Sequence, residues 1–269
     1  MKNKFKNKDF NLIVGLILAA VVIIPAVVGI FWTPYDTEAM SSSLKLSGSS
    51  LAHPMGCDNF GRDILSRVMS GSSTTLLIGL GTVLIGAVAG TLIGALTGYY
   101  GGLVDDIFMR FNDVMFSFPS LLLALVFVAV MGSGRMQLLF ALGIAFIPSY
   151  VRIVRAEYVR ARNLDYVKSA KLAGASDIRV MFVHILPNTV KVLINSVLIG
   201  FNNAVLAEAG LSFLGIGVQP PDASLGRMLA DSQTYLFNRP GMAVAPGITL
   251  IVMVLGISLL GKSKLVTER

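Results

Sequence analysis

Residues 68–104 read VMSGSSTTLLIGLGTVLIGAVAGTLIGALTGYYGGLV, 37 consecutive positions without an acidic or basic side chain. A hydrocarbon core of roughly 30 Å is crossed by about 20 apolar residues in a helix, and a Lys, Arg or Asp at its centre costs roughly 2.5 to 3.5 kcal/mol. The gap between Arg67 and Asp105 therefore predicts a membrane-spanning helix, placed at residues 74–97. Working outward, uncharged gaps also separate Asp9 from Asp36, Asp113 from Arg135, Arg135 from Arg152, Lys191 from Glu208 and Arg239 from Lys262. They place further spans at residues 11–31, 115–133, 137–156, 190–210 and 243–261, so the expected fold is an all-α integral membrane protein with six transmembrane helices. Arg152, Arg155, Lys191 and Glu208 flank the two shortest gaps and are expected to reach toward the interfaces, leaving no buried acid inside a span. Composition agrees: 54% of residues are hydrophobic and 14% charged, with a mean hydropathy of +0.74, too apolar for a soluble domain of this size.

The basic residues set the orientation. With a cytoplasmic amino terminus, all but six of the 22 Lys and Arg fall on the inner side, the exceptions being Lys45, Arg62, Arg67, Arg135, Arg227 and Arg239. An excess of this kind marks the cytoplasmic loops, so both termini are expected inside, and the net charge of +7 needs no nucleic-acid partner. Four lysines before residue 9 suggest a signal peptide. The apolar stretch Leu12 to Phe31 is longer than a typical signal core and no small-residue cleavage site follows it, so it reads as a retained first span. The chain divides into a tail with the first span (1–36), an extracytoplasmic segment (37–73), a core (74–261) containing a cytoplasmic loop (157–188), and a cytoplasmic tail (262–269).

Within the outer segment, Ser41 to Ser50 reads as a flexible run leading to a short helix, Arg62 to Ser70, along the membrane surface; the single cysteine, Cys57, should lie there open to an impermeant thiol reagent. His53 and His184 fall on opposite sides and cannot share a metal, and no cofactor is called for. In the second span Gly86, Gly90, Gly94 and Gly98 recur every four residues, which puts them on one face where another backbone can approach. Gly256, Gly261, Lys262 and Ser263 match the phosphate-loop pattern G-x-x-x-x-G-K-S. That loop follows a strand and opens a helix, whereas this one closes an apolar span, so it reads as a decoy.

The inner loop, EYVRARNLDYVKSAKLAGASDIRVMFVHILPN from Glu157 to Asn188, carries the most information about function. Asp165 opens a stretch in which Tyr166, Ala170 and Ala173 share one helical face. Gly174 suits a helix stop and is followed by Ala175, while Ser176 and Asp177 suit a new start. Pro187 marks a break before the fifth span. A short helix of small residues held between two spans has the shape to dock into a groove on a soluble partner.

Gly174 followed at thirteen residues by Pro187, with Ile185 and Leu186 before it, resembles the cytoplasmic "EAA" loop of ATP-binding-cassette importer permeases. HPMGCDNFGRDILSRV (53–68), GYYGGLVDD (98–106), FPSLLLAL (118–125) and EAGLSFLGIGVQPP (208–221) are similar to the second, C-type permease of the dipeptide, oligopeptide and nickel branch, in the same order. Lys168 and Ser169 stand where the motif has Glu and Ala, and Cys57 where Thr is usual. The resemblance implies the type I importer fold in a prokaryotic cytoplasmic membrane. It also implies four partners: a second homologous permease subunit, two cytoplasmic ATP-binding subunits that carry the ATPase activity, and an extracytoplasmic solute-binding protein. The loop residues Asp165, Tyr166, Ala170, Ala173, Gly174, Ala175, Asp177 and Pro187 would couple the permease to those ATPases. Glu208 and Ser212 are candidates for the gate or pathway, with Glu208 otherwise an interfacial acid. Peptides are the expected solute, with nickel or a metal chelate as the alternative. An ion-coupled carrier would predict midplane charges or an inverted repeat, and a membrane scaffold would leave the basic loop without a use.

Overall fold

A computed structural model of the protein describes residues 2–262, with side chains from residue 10 onward. Its elements are α1 (Lys2–Phe31), α2 (Ile64–Tyr100), α3 (Gly102–Phe116), α4 (Ser120–Met131), α5 (Arg135–Ala161), α6 (Asp165–Leu172), α7 (Asp177–Arg179), a π-helical stretch Val180–Ile185, α8 (Leu186–Phe213), α9 (Leu225–Ser232) and α10 (Gly241–Gly261). Five helices are long and apolar enough to cross a membrane, or six crossings if the bent pair α3 and α4 counts as one. The amino-terminal lysine side chains, Ser263 and the rest of the tail lie outside the described residues.

The helices form because each offers an apolar run, and they assemble because each also has a face of small residues. On α2 the exposed residues Leu77, Leu80, Leu84, Val88 and Leu92 recur every three or four positions, a stripe that requires apolar surroundings. The opposite stripe packs on α5, the most extensive helix pair of the bundle. A Cβ on Gly90 would lie 2.4 Å from Tyr150 Cβ, one on Gly94 2.7 Å from the Val151 carbonyl, one on Gly98 2.7 Å from the Arg155 carbonyl, and one on Gly86 3.0 Å from the Tyr150 ring. α1 closes on α10 in the same way, with a Gly256 Cβ 2.7 Å from Ala19 N. Gly256 therefore serves a helix contact within α10, and the phosphate-loop pattern runs along that helix to Gly261, with Lys262 as its C-cap.

The bundle has a basic end, where α5 finishes and α8 begins, and a far end, where α2 begins. A main apolar core including Ile78, Leu142, Phe146, Phe201 and Leu211 fills most of the length. A second, with Tyr99, Val154, Tyr158, Val167 and Met181, fills the basic end.

Three expectations need correction. No separate helix covers Arg62 to Ser70: Asp63 caps a single 37-residue helix α2 by accepting from Ser66 N at 2.8 Å. The Ser41 to Ser50 run is folded onto residues 56–60, with Ser41 N donating to the Phe60 carbonyl, Leu46 N to Asp58 and Cys57 N to Ser47. This close approach leaves Cys57 only 1% exposed. We therefore expect Cys57 to resist an impermeant maleimide in native membranes from either side and to react fully only after denaturation; rapid labelling of the folded protein would contradict this packing.

The third correction concerns the span placed at 115–133. α3 and α4 meet at about a right angle, with 90° between them. Pro119 supplies no amide hydrogen and disfavours a helical Phe118, so the helix ends at Phe116 and restarts at Ser120. α3 then lies against the basic end of α5, held by Asp105 accepting Arg155 Nε and Nη2 at 2.5 Å each and by Asp113 accepting Arg152 at 2.6 Å.

Candidate functional site

Two constellations stand out, one at each end of the bundle. At the basic end, α6 stops by a double hydrogen bond: Gly174 N donates to the Lys171 carbonyl and Ala175 N to the Ala170 carbonyl. This is the arrangement that requires a left-handed residue just past a helix, and Gly174 has φ +82°. Ser176 then caps α7, its hydroxyl accepting from Arg179 N at 3.4 Å. The helical run does not break at Pro187. The π-helical stretch takes up the register, and Pro187 falls in the first turn of α8, where its missing amide hydrogen is tolerated.

The loop is fastened rather than loose. Tyr99 at the end of α2 donates its hydroxyl proton to Asp177, and Lys171 lies 4.5 Å above the same ring. Tyr158 on α5 donates to the Met181 carbonyl at 3.0 Å. Val167, which sequence reasoning did not single out, is the fully buried anchor of α6. Ala170 packs beside it, whereas Tyr166, Ala173 and Asp165 are exposed, Asp165 pairing only with Lys168 at 3.3 Å. Around them Leu172 and Ile178 point outward, so an otherwise polar loop presents apolar side chains to its surroundings.

Between α4, α5 and α8 lies a cavity of about 460 Å³, lined in part by Ser120, Ser149, Tyr150, Ser196 and Asn203. Hydroxyls and an amide thus line a recess within the apolar bundle.

At the far end Glu208 is 0% exposed. This overturns the interfacial reading and the expectation that no span buries an acid. Its Oε2 accepts from Thr75 at 2.8 Å and its Oε1 from Ser212 at 2.7 Å. Thr75 lies 133 residues away in sequence. The one sequence signal is that Ser212 stands four residues after Glu208 on the same helix, in reach of its side chain.

Near the same end, sequence reasoning missed a buried ionic network. Arg62 Nε donates to Asp58 at 2.6 Å, Arg67 donates to the Thr37 carbonyl at 3.0 Å, and His53 Nδ1 lies 2.9 Å from Asp63. These groups hold the folded loop against the start of α2. Among the described residues, no group of His, Cys, Asp and Glu is placed to hold a metal ion.

Comparison with known proteins gives concordant results. Residues 90–263 match the family model described as binding-protein-dependent transport system inner membrane component. The chain is 37% identical over 255 residues to the dipeptide transport system permease protein DppC of Haemophilus influenzae, covering 93% of this chain and 86% of that one. It is 37% identical over 253 residues to the di/tripeptide transport system permease protein DppC of Pseudomonas aeruginosa, covering 92% and 84%. It is also 37% identical over 236 residues to the glutathione transport system permease protein GsiD of Pectobacterium atrosepticum, covering 86% and 78%.

Proposed function

Because the chain belongs to the family of binding-protein-dependent transport system inner membrane components, we propose that it forms half of the translocation pathway of an ATP-driven importer of peptides. It is a multi-pass permease subunit of the cytoplasmic membrane. Its partners in this reading are a second homologous permease subunit, two cytoplasmic ATP-binding subunits and an extracytoplasmic solute-binding protein. ATP hydrolysis belongs to those ATP-binding subunits, and the present chain moves without doing chemistry. Both termini and residues 157–188 face the cytoplasm, and residues 37–73 face outward. The peptide assignment rests on the dipeptide, di/tripeptide and glutathione permeases to which the chain is similar.

One observation carries the coupling role: the loop is rigidly tied to α2 and α5 on one side and exposes Tyr166, Leu172 and Ile178 on the other. Apolar side chains on a fixed polar loop fit a groove in a soluble protein. The ties at Asp177 and Met181 pass a displacement of that partner to the helix pair that runs the length of the bundle. Switching between two arrangements, each favoured by a different ligand state, then needs no further moving part. Asp165, Ala170, Ala173, Gly174, Ala175 and Pro187 shape the docking surface in this reading.

The test is ATP hydrolysis by the complex in proteoliposomes. We expect hydrolysis and peptide uptake to rise together when the loaded binding protein is added, and both to require this chain. Uptake driven by an ion gradient without ATP would replace the importer reading with a carrier.

A further inference from the structure

Among the described residues no basic side chain stands within ion-pair distance of Glu208. A carboxylate buried in this way must be held by hydrogen-bond donors. Two hydroxyls donate to it: Thr75 from α2 and Ser212 from α8. Both hydroxyls also accept an amide proton from the segment that follows α8. Val218 N donates to Ser212 Oγ at 3.1 Å and Leu225 N to Thr75 Oγ1 at 3.3 Å; Ser224 caps α9 beside them, accepting from Arg227 N at 3.1 Å. A hydroxyl has one proton to give. With an amide directed at its oxygen, each turns that proton toward Glu208, and both carboxylate oxygens act as acceptors. Two amides of one segment are thus relayed through two hydroxyls to one carboxylate.

The segment also lies flush against the helices. A Cβ on Gly217 would meet Ser212 Oγ at 2.4 Å, and one on Gly226 would meet the Ala209 carbonyl at 2.4 Å. Its other side borders a cavity of about 630 Å³, where Pro220, Pro221, Arg227 and Asp231 face Arg62 and Arg67. One side is fastened and the other has room.

We propose that Glu208 is a positioning residue whose carboxylate fastens residues 214–228 to α2 and α8, closing the far end of the pathway between turnovers. The closure role rests on the permease reading above; the fastening does not.

The experiment uses the assembled importer in native membranes, with Cys57→Ser as background and Val218→Cys as reporter. Val218 is fully buried, so the reporter should be nearly inert to an impermeant maleimide. Glu208→Gln keeps the side-chain volume but turns an NH₂ group toward a hydroxyl whose proton already points at it. We expect reporter labelling to accelerate by about tenfold or more, the worth of one hydrogen bond to a charged acceptor, and ATP hydrolysis without the binding protein to rise. Glu208→Asp, which keeps two acceptor oxygens on a shorter stem, should fall between. Native-like labelling in Glu208→Gln would overturn the fastening. Faster labelling with unchanged basal hydrolysis and uptake would overturn the closure role. If Glu208→Gln does not assemble, Ser212→Ala, which removes one relay and keeps the carboxylate, is judged by the same two readouts. Failure of the permease reading is distinguishable, because unmodified complex would then lack ATP-dependent uptake while the labelling difference remained.

Discussion

A Gly174→Trp permease is expected to insert, fold and accumulate near its normal level, yet to take up no solute above background. Gly174 sits at φ +82° and a Cβ there would meet nothing within 4 Å, so the cost to the chain is the left-handed backbone of a non-glycine residue, roughly 1 to 2 kcal/mol. That strain falls on the end of α6, away from the spans. The indole instead projects into open space at the end of α6, on the loop where the ATP-binding subunit is proposed to dock. Ser42→Trp, at an exposed position of the far-end loop, is the matched control and should transport normally. Uptake assays paired with immunoblots and co-purification of the ATP-binding subunits check all three expectations. Full uptake by a well-expressed Gly174→Trp chain would remove the coupling role from this loop.

The opposite outcome is expected for the glycine stripe of α2. Gly90→Leu should fail to accumulate, because even its first carbon would lie 2.4 Å from Tyr150 Cβ and 3.0 Å from Val151 N. Neither contact can swing aside, since both belong to the stem and backbone of α5. Forcing atoms into a filled core costs about 1 to 3 kcal/mol where side chains can adjust, and here two helices must separate. The series is graded. Gly86→Ala meets the Tyr150 ring at 3.0 Å and Phe146 Cβ at an ordinary 3.4 Å; the ring can shift by a few tenths of an ångström, so the variant's thermal midpoint in detergent should stay close to that of the parent. Gly90→Ala should lower it clearly. Equal stability of the two alanine variants would show that the helices are not held at this distance.

Much of the bundle was legible because charge is expensive in hydrocarbon, so the gaps between charged residues locate the spans whatever the tertiary contacts. α1, α2, α5, α8 and α10 each contain the span placed on them, and the helix-stop reading of Gly174 needed only local backbone chemistry. Most of the misses share one cause. Val114 to Met131 is apolar enough to read as one span, and the bend at Pro119 becomes visible only when α3 is seen bound to Arg152 and Arg155 of another helix. Glu208 reads as interfacial by its distance from the nearest charges, but one of its two donors, Thr75, comes from α2, 133 residues away in sequence. Arg62 and Arg67 count in the sequence only as outer-side basic residues; Arg62 pairs with Asp58, four residues away, whereas Arg67 reaches the Thr37 carbonyl, 30 residues away. Val167 was passed over because its role depends on Val180 and Met181 folding back over it.

The glycine stripe has a mechanical consequence. With α2 closed on the backbone of α5 from Gly90 to Gly98, the pair cannot shear without opening that seam, so it turns as one lever. At 1.5 Å of rise per residue the arm of α2 is about 55 Å long, and a tilt of about 5° about one end would displace the other by about 5 Å. In the proposed coupling, Tyr99 and Tyr158 receive the force at one end of this lever, and Thr75 stands in its far half, where it accepts from Leu225 N of the segment proposed to close the pathway. The stroke available at the far end is thus set by how tightly four glycines hold two helices together.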